Sequence, residues 1–154
     1  MHYRLTYLTI LILIIYIVLS FGNKIEIQNN IQEAIVEKVI DGDTIVIDGG
    51  IQVRYIGVDT PEIGEYYSQE ATDKNKQLVE GKKIKIERDV LYKDKYQRIL
   101  GYIIVDNIMV NEELLKNGFA DILFIQPDVK YKNRLINAYN YAKDNKLGLW
   151  NKNQ

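Results

Sequence analysis

Four carboxylates, Asp41, Asp43, Asp59 and Glu62, and one arginine, Arg54, stand close together in the stretch DGDTIVIDGGIQVRYIGVDTPE, residues 41–62. Carboxylate oxygens are hard donors, suited to Ca²⁺ or Mg²⁺ and not to softer metals. An arginine beside several acids is either a structural ion-pair cluster or half of a site for a metal and a phosphate. Each motif alone reads as ordinary structure: Asp41-Gly42-Asp43-Thr44 as a polar turn between strands, Thr60-Pro61-Glu62 as a turn or helix start. The Asp41-x-Asp43 spacing also opens like an EF-hand loop, but the glycine and glutamate that such a loop needs further on are missing. Arg98, in the charged run YKDKYQR at 92–98, enlarges the set. In a site built from these groups a cation polarises one phosphate oxygen while Arg54 and Arg98 hold the others as charge builds in an in-line attack. Glu62 then orients or deprotonates a water.

The rest of the composition narrows the chemistry. The chain has no cysteine, which excludes disulfides, iron–sulfur clusters and thiolate zinc sites. Its one histidine is His2, so no imidazole serves the folded domain as base or ligand. Hydrolytic chemistry here must use carboxylates, arginines, lysines or some of the 12 tyrosines. Apolar residues make up 47% and charged ones 27%, enough for a packed core and far from the signature of disorder. The formal charge is −1, and −2 once residues 1–22 with their lone Arg4 are set aside. A dedicated tight binder of nucleic acid is usually basic, so any phosphate contact must be local.

The elements that must position these groups are short. Ala34–Ile40 and Thr44–Ile47 are β-branched runs, and Asp48-Gly49-Gly50 joins the second to a third strand from Ile51 to near Val58. Alternation puts Arg54 on the face of Ile56 and Val58, opposite Val53 and Tyr55. A helix is expected at Ser68–Glu80 with Gly81 as its stop, then strands Lys83–Glu87 and Ile99–Val105. An Asp106-Asn107 turn leads into Ile108–Val110, and Asn111 reads as the N-cap of a short helix closed by Gly118. Asp128 is a candidate cap for a last helix with Tyr131, Leu135, Ala138 and Ala142 on one stripe. Leu147–Trp150 forms an apolar end. Five strands with a helix between the third and fourth suit a small closed Greek-key barrel, the OB-fold, within a mainly β, α+β domain carrying about three helices. Barrels of that kind host sugar, nucleic-acid and protein ligands alike.

DGDT at 41–44, R-x4-D-T-P-E at 54–62, DKYQR at 94–98 and VNEELLKNGFA at 110–120, in that order, resemble the staphylococcal nuclease (thermonuclease) family over about Ile35 to Trp150. The resemblance implies an OB-fold with packed helices and a Ca²⁺-dependent nuclease that hydrolyses phosphodiesters of DNA and RNA to 3′-phosphate ends. It implies that Asp43, Asp59 and the backbone carbonyl of Thr60 hold calcium, with Asp41 standing just behind them. Glu62 would orient or activate water, Arg54 and Arg98 would bind the phosphate, and Lys95 and Tyr96 would lie beside the nucleotide. The family's base-facing tyrosine pair is represented by Phe124 and, after a one-residue gap, by Gln126 or nothing; Phe124 still offers a ring for stacking. The loop after Glu62 is shorter than the family pattern, and the less basic charge implies weaker, more salt-sensitive substrate binding. Pro127 follows in the next loop, with either peptide isomer open.

Residues Leu5 to Phe21 are uncharged, and as a helix span about 25 Å against a bilayer core of about 30 Å. Residues 1–22 therefore read as a cleaved secretory signal or an uncleaved signal-anchor, with Ser20 and Gly22 spaced like a cleavage site. Residues 23–33 read as a polar tether and 34–150 as the folded domain, a monomer working outside the cytoplasm and touching the membrane only if the anchor is retained. The rival to a nuclease is a non-catalytic OB-fold module that binds nucleic acid or a protein without cutting.

Overall fold

The computed structural model describes residues 13–16 and 31–151. Of the N-terminal apolar run only 13–16 are described, and they are helical; the expectations for the remainder of 1–22 and for 23–30 lie outside the described residues. No described helix is long and apolar enough to cross a membrane.

Strands β1 (Ile31–Val39), β2 (Thr44–Ile47) and β3 (Ile51–Tyr55) run as antiparallel neighbours. Strand β1 opens at Ile31, ahead of the boundary at 34 that composition suggests, and a register shift between Val36 and Lys38 bends it. Gly49 and Gly50, at φ 85° and 72°, supply the left-handed pair that a tight β2–β3 turn requires. Helix α1 (Ser68–Val79) follows, then β4 (Lys83–Glu87) and β5 (Ile99–Val105). Strand β5 lies antiparallel to β4 and parallel to β3, with Arg54 opposite Leu100, and β4 neighbours β1. The circuit β1-β2-β3-β5-β4 is thereby closed into a five-stranded barrel with no free edge along it. Gly101 lets β4 and β5 crowd, since a Cβ there would stand 2.4 Å from Ile86 Cγ2. A two-residue β6 (Ile108–Met109) leads into α2 (Val110–Lys116), and α3 (Lys132–Asp144) with a terminal 3₁₀ turn (Gly148–Trp150) completes the chain. Leu114, Leu115 and Leu135 are fully buried and bring α2 and α3 onto the core beside Val53, Ile99 and Ile103.

Three local expectations are corrected. Strand β3 stops at Tyr55, not near Val58, because Gly57 at φ 78° turns the chain; Ile56 and Val58 are buried beside Val53 and Tyr55, so the alternation past Arg54 ends there. Asn111 is no N-cap: Met109 holds that position, and Asn111 lies wholly buried inside the first turn of α2. Its Oδ1 accepts the Ile103 N–H at 2.8 Å, and its Nδ2 donates to the carbonyls of Ile56 at 2.9 Å and Gly101 at 3.5 Å. One amide thus joins β5, α2 and the exit from β3, a bond set that no local pattern reveals. Asp128 does not cap α3 either, since Tyr131 is the residue before it.

Asn111→Ala strands the buried Ile103 N–H and the Ile56 carbonyl, while the Gly101 carbonyl keeps the Ile56 N–H at 3.0 Å. It is expected to cost about 3 kcal/mol, read as a lower urea midpoint at unchanged slope, whereas a cap substitution would cost about 1 kcal/mol.

Candidate active site

The hairpin geometry explains why the acids meet. Thr44 pairs with Arg54 across β2 and β3, so Asp43, one residue before, sits at the strand end beside the guanidinium. Gly42 is needed there because a Cβ would fall 2.6 Å from Thr60 Cγ2. Asp41 Oδ1 accepts the Asp43 N–H at 3.0 Å and shapes the turn. From the other side, Asp59 is fixed by a backbone bridge in which Asp59 and Asp121 exchange N–H···O bonds of 3.0 and 2.8 Å.

Arg54 draws the two acids together. Its Nε contacts Asp43 Oδ1 at 3.0 Å and its Nη2 contacts Asp59 Oδ1 at 2.9 Å. Its Nη1 donates to the carbonyls of Tyr55 at 3.0 Å and Val58 at 2.6 Å. The two carbonyls fix the guanidinium plane and aim its forked edge at the acids. Asp43 is only 4% exposed, and its Oδ2 accepts from the N–H of Thr60 at 2.8 Å and the Thr60 hydroxyl at 3.0 Å. Burial pushes the Asp43 carboxyl up to about 6 in spite of Arg54 and the Thr60 donors. A carboxylate whose charge is this poorly solvated gains most from a cation, and binding one requires it deprotonated.

Asp43, Asp59 and the Thr60 carbonyl fit a hard cation in donor chemistry, with water completing the six to eight oxygens that calcium takes. Among the described residues no three acidic or imidazole side chains stand close enough to cage an ion by themselves. Ligation would therefore require the backbone and solvent.

Beside this pocket opens a cavity of about 430 Å³ lined by both arginines, Arg54 and Arg98. That volume lies in the range of small-ligand sites. Lys93, Lys95 and Tyr96 line its basic side, and Leu91, Leu123 and Ile125 its apolar side. Arg98 is positioned by Asp94, which the sequence reading did not single out. Asp94 Oδ1 accepts the N–H groups of Tyr96 at 2.9 Å and Arg98 at 3.0 Å. Its Oδ2 takes Arg98 Nε and Nη2, both at 2.7 Å. Burial alone would raise the Asp94 carboxyl, but the Arg98 and Tyr96 donors outweigh it and hold it below the usual carboxylate range. The Tyr96 ring carries Lys95 Nζ at 4.9 Å and Arg98 Cζ at 5.4 Å from its centroid.

Asp43, Arg54, Asp59 and Thr60 thus form one cluster, and Arg98, Lys95 and Tyr96 line the cavity that Arg54 shares. Two residues stand apart. Glu62 lies on the exposed loop after Thr60, its N–H donating to Glu65 Oε2 at 2.9 Å, and it does not line the cavity. Phe124 is partly buried against the core, its Cε1 2.9 Å from where a Cβ on Gly57 would be. Leu123 and Ile125, its neighbours in sequence, face the cavity instead.

Asp128 is a further residue that sequence reasoning placed wrongly. It is 3% exposed, and its Oδ1 accepts the N–H groups of Val90 at 2.9 Å and Leu91 at 2.8 Å. In return Asp89 Oδ2 accepts the Lys130 N–H at 2.7 Å and the Tyr102 hydroxyl at 3.0 Å. Two carboxylates thereby staple the loop carrying Leu91 to the loop carrying Leu123 and Ile125. The Gln126–Pro127 peptide, in the second of these loops just before Asp128, is cis. Asp128→Ala is expected to raise KM about tenfold and leave kcat nearly unchanged; Asp128→Asn, which keeps an acceptor, should restore most of it in the same steady-state assay.

Comparison with known proteins is consistent with this geometry. A family profile described as "Staphylococcal nuclease homologue" matches residues 52–152. The chain is 39% identical over 122 residues to a thermonuclease of Staphylococcus hyicus, covering 73% of this chain and 72% of that protein. It is 38% identical over 136 residues to endonuclease YncB of Bacillus subtilis, covering 81% and 64%. With the prophage-derived endonuclease YokF of the same organism it shares 37% identity over 128 residues but covers only 43% of that longer protein.

Proposed function

The chain belongs to the staphylococcal nuclease family, and from that premise we propose that it is a calcium-dependent nuclease, exported from the cytoplasm as a monomer, that cleaves DNA and RNA to 3′-phosphate products. The observation that carries this reading is Arg54: one guanidinium ties buried Asp43 and exposed Asp59 to a cavity whose other wall holds Arg98. Asp43, Asp59 and the Thr60 carbonyl would hold the cation, and Asp41 stiffens the turn behind them. A divalent ion bound there supplies Lewis-acid polarisation of one phosphate oxygen. Arg54 and Arg98 bind the remaining oxygens and stabilise the charge that grows on them in the transition state. Lys95 and Tyr96 flank the nucleotide, and Leu91, Leu123 and Ile125 offer its base an apolar wall in place of a stacked Phe124. Glu62 takes the proton of the attacking water. The water oxygen bonds to phosphorus as the bond to the 5′ oxygen breaks, and that oxygen leaves protonated from solvent.

One observation favours a second reading, a module that binds without cutting: Glu62 is exposed and outside the cavity lining. A single assay separates the two. Purified protein with millimolar Ca²⁺ should cut end-labelled single-stranded DNA and RNA, and EGTA should stop it. The products should resist primer extension until a phosphatase unblocks their 3′ ends. Intact substrate in calcium leaves only the binding module. Mass spectrometry of the exported protein's amino terminus tests release against retention of residues 1–22.

A further inference from the structure

The loop that follows Glu62 carries two aromatic rings, Tyr66 and Tyr67, that belong to neither the core cluster nor the cavity lining. Tyr67 precedes α1 at φ 69°, a left-handed conformation costly for a bulky side chain. It also occupies an N-cap position, where Ser, Thr, Asp or Asn would stabilise the helix, and makes no side-chain capping bond. What this backbone achieves is placement of the ring, which stacks on Phe119 at 5.6 Å between centroids and 26° between planes. Tyr66 leans on Tyr67 at 5.7 Å and 41°, yet is 60% exposed, so most of the outermost ring faces solvent. Packing accounts for Tyr67 and leaves Tyr66 unexplained.

Both ends of this tier are tethered to the acid pocket. Phe119 is two residues from Asp121, whose backbone is bridged to Asp59. Tyr66 follows a tight turn in which the Glu65 N–H donates to the Glu62 carbonyl at 2.9 Å. The tier is thus joined through short stretches of chain to Asp59 and Glu62, and none of its rings lines the cavity that holds Arg98. Glu65 and Glu70 flank the tyrosines, so the surface recommends itself to a π face and not to a phosphate.

Resting on the nuclease reading above, we propose that Tyr66, backed by Tyr67 and Phe119, is a stacking subsite for a nucleobase one or two nucleotides beyond the pair that flanks the scissile phosphate in a single-stranded substrate. Aromatic stacking accepts any base and contributes affinity without positive charge, which suits a domain of net negative charge. A base paired in a duplex cannot present its face to the ring, so the subsite discriminates for single strands.

The test uses fluorescence anisotropy in Ca²⁺ with cleavage-resistant phosphorothioate oligothymidylates of two and ten nucleotides, and a ten-base-pair duplex. Tyr66→Ala should weaken the single-stranded ten-mer about tenfold to a hundredfold and leave the dinucleotide and the duplex unchanged. Tyr66→Trp should restore the ten-mer. Equal binding of the ten-mer by wild type and Tyr66→Ala overturns the proposal, as does an equal loss on both single-stranded lengths. A wild-type protein that binds the ten-mer no better than the dinucleotide overturns it too. Because binding is read without turnover, a protein that binds as described yet cuts no unmodified DNA fails the nuclease reading alone.

Discussion

Glu62→Gln is expected to lower kcat by about 10²–10⁴-fold with KM for single-stranded DNA little changed. The amide keeps the size of the side chain and its capacity to orient water, and loses only the ability to take a proton. No imidazole exists in the folded domain to replace it, since the one histidine is His2. Glu62 is exposed, and its carboxylate supports neither the barrel nor the Arg54 cluster. The variant should therefore melt like wild type, which makes rate the clean readout. A kcat within a few-fold of wild type would move the water-activating role to another group or to solvent.

The parts of the site legible in the sequence are those set by short-range geometry. Strand pairing alone brings Asp43 to Arg54, because Thr44 and Arg54 are register partners on the two adjacent strands of one hairpin. Lys83–Glu87 and Ile99–Val105 form as strands with the bounds that alternation and β-branched content suggest. What failed to show was long-range. Asn111 and Asp128 carry side chains that locally favour caps, and each is instead committed to backbone groups distant in sequence, 8 to 55 residues away for Asn111 and 37 to 38 for Asp128. Propensity describes what such a side chain does when left alone; burial against a foreign strand or loop gives it a stronger partner. Phe124 illustrates a parity error. The wall segment alternates, so a shift of one residue exchanges the faces, and Gly57 leaves the room that draws Phe124 to the core and puts Leu123 and Ile125 on the cavity. Asp94 had a visible signal, an acid four residues before an arginine in a turn-rich run, but its role depends on the fork geometry seen only in three dimensions.

Arg98→Ala is expected to lower kcat about 10²–10³-fold, and Arg98→Lys should recover little of it. Lysine keeps the charge but not the planar fork, and the fork is what both Asp94 and a phosphate recognise. Asp94 is left without its strongest partner in either variant, yet it retains the backbone donors of Tyr96 and Arg98, so stability should fall by about 1 kcal/mol or less. Arg54→Ala should match the loss in rate and differ in stability. It removes the shared partner of Asp43 and Asp59 and two bonds to backbone carbonyls, one of the acids being almost fully buried. Breaking a buried pair from one side costs about 3–5 kcal/mol, so the metal-free Arg54 variant should melt well below wild type. Calcium should return part of that stability if the two acids are its ligands, because the ion replaces the lost positive charge. The Arg98 variant should gain from calcium no more than wild type does. If instead calcium stabilises both variants equally, the acids joined by Arg54 are not where the ion resides, and the arginine serves the barrel and not the phosphate.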